Sequence, residues 1–191
     1  QAADSLIKYC DPVIMASKAN PQMFKYTANW IALQYKEPKV MGQDAFYVHL
    51  IEKYWTIEQA FWSKEYEIDR LRAQVRQMKP SLIGMTGQNV TGTNENGQQV
   101  SIYDLKTPVI VVYIFSYDCE NCQKETPKLM NVYNLWKDKG MGLFTIGIDG
   151  EKEKWKAYLQ KNGLSRFNIF DPKNETGFRL KYHVDVTPEI Y

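Results

Sequence analysis

Apolar positions in the first eighty residues recur at helical spacing. Phe24, Thr27, Ala28, Ile31 and Tyr35 form one stripe, and Tyr47, Leu50, Ile51 and Tyr54 a second. Ile68, Leu71, Val75 and Met78 form a third. Asn20-Pro21 reads as a cap followed by a proline at the first helical position. Pro38 and Gly42 separate the first two stripes, and Pro80 stops the last. From about residue 100 the pattern changes. Residues 109–115 and 142–148 are near-continuous apolar runs, and a shorter one covers 168–170. Helical spacing fills the intervals: 120–139, then 152–162 closed by Gly163, then 175–182. Continuous apolar strands alternating with helices specify a parallel sheet, covered on both faces and joined by right-handed crossovers. Between the two regimes, residues 84–97 are rich in Gly, Thr, Asn and Gln. Within them Asn96-Gly97 marks a hairpin turn between strands containing Val90 and Val100. The chain thus reads as a small all-α domain over 1–80 and an α/β domain over 81–191.

Composition narrows the class. At 191 residues, 44% hydrophobic and 24% charged, the chain is neither disordered, collagen-like nor a coiled coil throughout. Lys and Arg total 24 against 22 Asp and Glu, so the net charge of +2 argues against nucleic acid or an anionic membrane as the main partner. The longest strongly apolar run, 109–115, is far short of the ~20 residues of a membrane helix. Three cysteines exclude a disulfide-dense mini-protein. The opening Gln1-Ala2-Ala3 has no Met and no basic-then-apolar pattern, which reads as a signal peptide removed or never present. Aromatics crowd the helical region: Trp30, Tyr35, Phe46, Tyr47, Tyr54, Trp55, Phe61, Trp62 and Tyr66. They read first as core filling, with an aromatic-lined groove as the alternative.

Candidate chemistry lies in Cys119-Glu120-Asn121-Cys122, which follows the strand 109–115 and opens a helix. Unpaired amides and the macrodipole at a helix N-terminus favour an anion. Cys119 takes the position of strongest field, so its thiolate, the nucleophilic form, is favoured. Cys122 lies one turn on, on the same face, where it can attack a mixed disulfide at Cys119. Two other readings of the pair are half a zinc site and an inert structural disulfide. Zinc would need two more ligands, and Cys10, His49 and His183 are not spaced as a second pair. Cys10 reads as a buried, inert thiol, His49 as packed within a helix, and His183 as a surface residue or one supporting the site.

These residues resemble the thioredoxin superfamily, and within it the TlpA/ResA-like thiol-disulfide oxidoreductases. Four matches carry the resemblance over roughly 82–191. Asn94-Glu-Asn-Gly97 through Ser101-Ile-Tyr-Asp-Leu105 is similar to the entry hairpin, and 114–122 to the active-site strand and turn. Pro127 is similar to the helix-kinking proline, and Val186-Thr187-Pro188 to the cis-proline loop. The resemblance implies a thioredoxin-like three-layer α/β/α sandwich. It implies Cys119 as attacking and Cys122 as resolving cysteine, with no cofactor beyond their redox-active disulfide. Thr187 and a cis Pro188 would bind the extended chain of a substrate by strand addition. Partners would be protein dithiols and disulfides and an electron donor. The helical region, through Val40-Met-Gly-Gln-Asp44, Val48-His-Leu50 and Pro80-Ser-Leu-Ile-Gly84, resembles a poorly characterised domain, DUF5106. That domain precedes thioredoxin modules in envelope proteins of Gram-negative bacteria, which implies the periplasm or outer envelope.

Three departures stand out. Asp118 replaces the family's usual Trp, and Tyr113 replaces the buried acid that many thioredoxins carry six positions before the first cysteine. The dipeptide between the cysteines, Glu120-Asn121, has no proline. Asp118 and Glu120 are like charges beside a developing thiolate. They are expected to raise the pKa of Cys119 and so favour a reductase. The resemblance also implies two further strands and a helix after Pro188, so the chain reads as truncated, cleaved or only its ordered part. Two other functions stay open: an envelope adaptor on a thioredoxin-like scaffold, and a thiol peroxidase, since Ser116 precedes Cys119 at Ser-x-x-Cys spacing.

Overall fold

A computed structural model describes residues 2–164 and 166–191. The chain divides into two compact units, Gln1–Gly87 and Gln88–Tyr191.

The first unit holds α1 (Ala2–Ser17), α2 (Pro21–Tyr35), α3 (Asp44–Tyr54) and α4 (Glu65–Met78). Asn20 caps α2 through Oδ1, which accepts from the amides of Gln22 and Met23 at 2.9 and 3.2 Å, with Pro21 starting the helix. Lys64 N–H donates to the Glu67 carboxylate at 2.8 Å and closes the α4 N-terminus. Ile14, Ala28, Phe46, Leu50, Ile51, Tyr54, Ile68 and Val75 form the core. The aromatics differ in burial. Phe46, Tyr47, Tyr54 and Trp55 are buried, whereas Trp30, Phe61 and Tyr66 are exposed.

A charged side chain is buried inside this unit. Asp11 of α1 is buried and accepts from Lys53 Nζ at 2.6 Å and from the Tyr54 hydroxyl at 2.9 Å. His49 Nε2 lies 3.0 Å from both its oxygens. His49 and Lys53 lie one turn apart on α3 and Tyr54 follows beside them, so a single carboxylate joins two helices. Burial opposes its ionisation, but bonds from Lys53, His49 and Tyr54 outweigh burial and hold its pKa below the ordinary carboxylate value.

The second unit opens with a hairpin, β1 (Thr91–Thr93) and β2 (Gln99–Ser101). Its turn is organised by Asn94 Oδ1, which accepts from the amides of Asn96 and Gln98, with Gly97 at φ +81°. Then follow β3 (Val109–Phe115), α5 (Glu120–Trp136), β4 (Met141–Gly147), α6 (Lys152–Asn162), β5 (Asn168–Phe170), α7 (Phe178–Tyr182) and β6 (Glu189–Ile190). The sheet order is β5-β4-β3-β6. β3, β4 and β5 are parallel, and β6 joins β3 antiparallel, so the sheet is mixed and not wholly parallel as expected. Residue alternation sends β3 and β4 side chains to two cores. Val112, Ile114, Phe144 and Ile146 pack with the hairpin side and α7, including Val90, Phe178 and Tyr182. Tyr113, Phe115 and Leu143 pack with α5 and α6, including Leu129, Trp155 and Leu159. This is the three-layer thioredoxin-like arrangement.

One expected helix differs in its start. The stretch 175–182 is helical only from Phe178. The Asp171 carboxylate accepts the amides of Glu175 and Thr176 and holds 171–176 as a turn. Conversely, α1 is not among the three stripes singled out in the sequence, although Ala3, Leu6, Ile7, Cys10 and Ile14 recur at helical spacing and pack inward.

Replacing Asp11 with Ala leaves the buried Tyr54 hydroxyl without its acceptor. The expected loss is about 1–3 kcal/mol in chemical unfolding. Because the folded pKa is depressed, this stabilisation is complete above the unfolded carboxylate value and is lost as pH falls through the folded one. Stability measured against pH is therefore expected to fall less steeply at acid pH in D11A than in the parent.

Candidate active site

The parallel register of β3 and β4 determines where the chemistry lies. Both strands end together, at Phe115 beside Gly147, and Ile148 N–H continues the pairing to the Phe115 carbonyl. The loops leaving the two strands are thus neighbours, at the carboxyl edge of the sheet where sites gather in such folds. After Phe115 the chain turns through Ser116, Tyr117 and Asp118 and enters α5 with Cys119 as its N-cap, in extended conformation. The Asp149 carboxylate fastens this turn. It accepts the Ser116 hydroxyl at 2.6 Å and the Tyr117 amide at 2.5 Å. Gln123 Nε2 adds a bond to the Tyr117 carbonyl at 3.0 Å.

Cys119 Sγ occupies the cap position. It accepts the Cys122 amide at 3.3 Å and lies 3.4 Å from the Thr187 carbonyl, to which its thiol donates. The Thr187–Pro188 peptide is cis. Cys119 is half-buried, and Cys122, one turn into the helix, is fully buried. Both are free thiols. Their environments push them apart. At Cys119, burial works against the thiolate but is outweighed. Bonds from the Cys122 thiol and amide, the Thr187 side chain and the Asn121 amide bring its pKa below the ordinary value. At Cys122, burial and its bond to Cys119 push the pKa up to about 11, opposed by the Ser116 amide, which donates to its sulfur at 3.5 Å, and by the Thr187 side chain.

This corrects the expectation for Asp118 and Glu120. Both are exposed, and Glu120 is paired with Lys124 at 2.6 Å. Water screens them, while the amides aimed at Cys119 act at contact distance. The net effect is a lowered thiol, not a raised one.

Beneath Cys122 lies a layer of hydroxyls. Thr126 Oγ1 donates to the Cys122 carbonyl at 2.7 Å, and the Tyr158 hydroxyl donates to it at 3.2 Å. Tyr113 Oη and Thr126 Oγ1 are 2.6 Å apart, and Thr126 Oγ1 and Tyr158 Oη 2.8 Å. Tyr113, standing where many thioredoxins have an acid, is part of this buried network. Pro127 lies within α5 and removes one amide from its ladder.

Of the other sequence candidates, Cys10 is half-buried against the helical core, where burial and Asp11 raise its pKa. His49 is held by Asp11. His183 follows α7 in left-handed conformation, 3.5 Å from Asp185. Among the described residues, no three His, Cys, Asp or Glu side chains gather as metal ligands do. Asp149, Thr126 and Tyr158 are absent from the sequence reading. Asp149 left one signal, since it directly follows an apolar parallel strand on the side where the cysteine loop emerges.

Residues 108–190 match the model of a thioredoxin-like family. The chain is similar to the thiol-disulfide oxidoreductase ResA of Bacillus anthracis, 26% identical over 82 residues, which are 43% of this chain and 47% of that protein. The chain spans about half the length of the curated relatives it matches. Among solved structures it is similar to the thioredoxin domain of a thiol-disulfide oxidoreductase from Bacteroides vulgatus. The identity is 27% and the TM-score 0.51, over 56% of this chain and 77% of that one. A thioredoxin-like protein from Bacteroides caccae, 20% identical, shares the fold over 100% of this chain and 74% of its own, with a TM-score of 0.74. The second unit has a thioredoxin-like fold, and the curated relatives it is similar to are named thiol-disulfide oxidoreductases.

The site predicts an order of reactivity. Iodoacetamide is expected to alkylate Cys119 first, with a rate that rises with pH to a midpoint below that of a free cysteine. Cys122→Ala, which removes the side-chain donor toward Cys119, is expected to move that midpoint upward. A midpoint at or above the free-cysteine value in the parent protein would contradict the geometry.

Proposed function

We propose that this protein exchanges disulfides with protein substrates through a Cys119–Cys122 dithiol. The carrying observation is the Cys119 sulfur at the α5 cap, supplied with amide hydrogen bonds, half-open to solvent and facing the Thr187 carbonyl beside cis Pro188. The Cys119 thiolate attacks a substrate disulfide, forming a mixed disulfide and releasing one substrate thiolate, which takes a proton from water. Cys122 then loses its proton, attacks Cys119 Sγ and displaces the second substrate sulfur as a thiol. Two electrons pass from the dithiol to the substrate, and an external donor restores them. The backbone before Pro188 suits an extended substrate chain, which would bind through main-chain bonds with little sequence preference.

With Cys119 lowered, the argument for a strongly reducing couple no longer stands, and the reading is exchange in the direction set by the partners' potentials. The peroxidase reading is less well supported, because the Ser116 hydroxyl donates to Asp149 and is not turned to serve a peroxide at Cys119. Disulfide exchange with folded partners belongs in an oxidising compartment, which suits the periplasm or outer envelope. The resemblance of the helical region to an envelope-associated domain favours the same place. No helix among the described residues is long and apolar enough to cross a membrane.

With dithiothreitol as reductant, the protein is expected to accelerate insulin precipitation. Cys119→Ser is expected to reduce the rate to background, and Cys122→Ser to accumulate a mixed disulfide with insulin visible by non-reducing electrophoresis. Activity surviving in C119S, or an inactive parent protein that still binds partners, would favour the adaptor.

A further inference from the structure

We propose that Asp149 is a positioning residue for the second half of the exchange, in which Cys122 resolves the mixed disulfide. The inference rests on the exchange reading above.

Cys122 enters that step as a deeply buried thiol, with no cation among its described hydrogen-bond partners to stabilise its anion. The hydroxyl layer below it binds its carbonyl, not its sulfur. The backbone donor aimed at the sulfur is the Ser116 amide, at 3.5 Å. An amide contributes to a developing thiolate only if it is held in line before the charge appears. Ser116 lies in a turn that neither β3 nor α5 contains, so its direction must be fixed from outside.

Asp149 does this at two points. One carboxylate oxygen takes the Ser116 hydroxyl at 2.6 Å, and the other takes the Tyr117 amide at 2.5 Å. Together they clamp the Ser116 side chain and the Ser116–Tyr117 peptide. A second tie runs the other way, from the Glu151 amide to the Tyr117 hydroxyl at 3.2 Å, and binds the same two loops. The Asp149 bonds end on the turn, whereas the bonds to Cys119 come from Cys122, Asn121 and Thr187. The turn reaches Cys119 through its backbone amide, which donates to the Ser116 carbonyl at 3.3 Å, and reaches Cys122 at its sulfur, so Asp149 is coupled to resolution more than to the first attack.

The resolving step is Cys119–S–S–R + HS–Cys122 → Cys119–S–S–Cys122 + HS–R. The Cys122–Cys119 bond forms, the Cys119–R bond breaks, and the Cys122 proton passes through water to the departing sulfur.

The aromatic disulfide dithiobis(nitrobenzoate) reads both halves on the reduced full chain by stopped flow. Attack by Cys119 releases one coloured thiolate, and resolution by Cys122 releases the second. Asp149→Ala is expected to leave the first phase nearly unchanged and slow the second about tenfold, the scale of one hydrogen bond to a charged acceptor. Asp149→Asn, which keeps an acceptor for the Tyr117 amide, is expected to recover most of that rate. Ser116→Ala, which deletes only the hydroxyl tie, is expected to slow the second phase by a smaller factor and serves if D149A does not fold.

Equal slowing of both phases would make Asp149 merely structural and overturn the proposal. So would an unchanged second phase, or no recovery in D149N. If the parent protein releases only one equivalent, the dithiol reading itself fails and the proposal falls with it. That outcome is separate from the others because it appears without any substitution.

Discussion

The sulfur of Cys119 rests on amides that no carbonyl of α5 accepts. A helix must leave such donors unpaired at its start, and this fold places a cysteine where other helices place Ser, Asp or Asn. The remaining features of the site keep that arrangement in place. The β3–β4 register brings two loops together, and Asp149 closes one of them against the other. The loop ending in Thr187 then forms the outer wall, so the sulfur faces helix amides on one side and a carbonyl on the other.

The two thiols share a helix turn but not an environment. Cys119 is tilted towards its anion by contacts at its surface, and Cys122 towards its neutral form by burial. The asymmetry follows from the helix itself. Position 119 is the cap, at the boundary with water, whereas position 122 has turned inward onto Tyr113, Phe115 and Leu129. A spacing of three residues is enough to separate an accessible nucleophile from a protected resolver. It also lets the Thr187 side chain bond to both.

Much of this was legible in the residues, for identifiable reasons. The strands at 109–115 and near 142–148 are apolar throughout because both faces are covered, and Asn20-Pro21 has only one helical use. The cysteine pair signalled its place because a strand precedes it and a helix follows. Other features lay outside local pattern. Asp149 is more than thirty positions from the turn it holds, and only the parallel register joins them. The burial of Asp11 on α1 was hidden because its partners lie on α3. The 175–177 stretch looked helical because nothing in its spacing shows that Asp171 captures two of its amides. Asp118 and Glu120 misled in a different way. Their charge is written in the sequence, but their exposure to water is not.

Tyr113, Thr126 and Tyr158 give the floor of the site a particular chemistry. Burial leads the shifts that move both tyrosines further from ionisation, so these groups stay uncharged across the range in which cells live. A floor made of alcohols and phenols can pass or share hydrogen bonds, yet it has no net charge to gain or lose. A carboxylic acid at this depth would instead be able to gain or lose a charge. Here the same depth behaves as a fixed dielectric, and any acid sensitivity in turnover must come from the sulfurs or from groups nearer the surface.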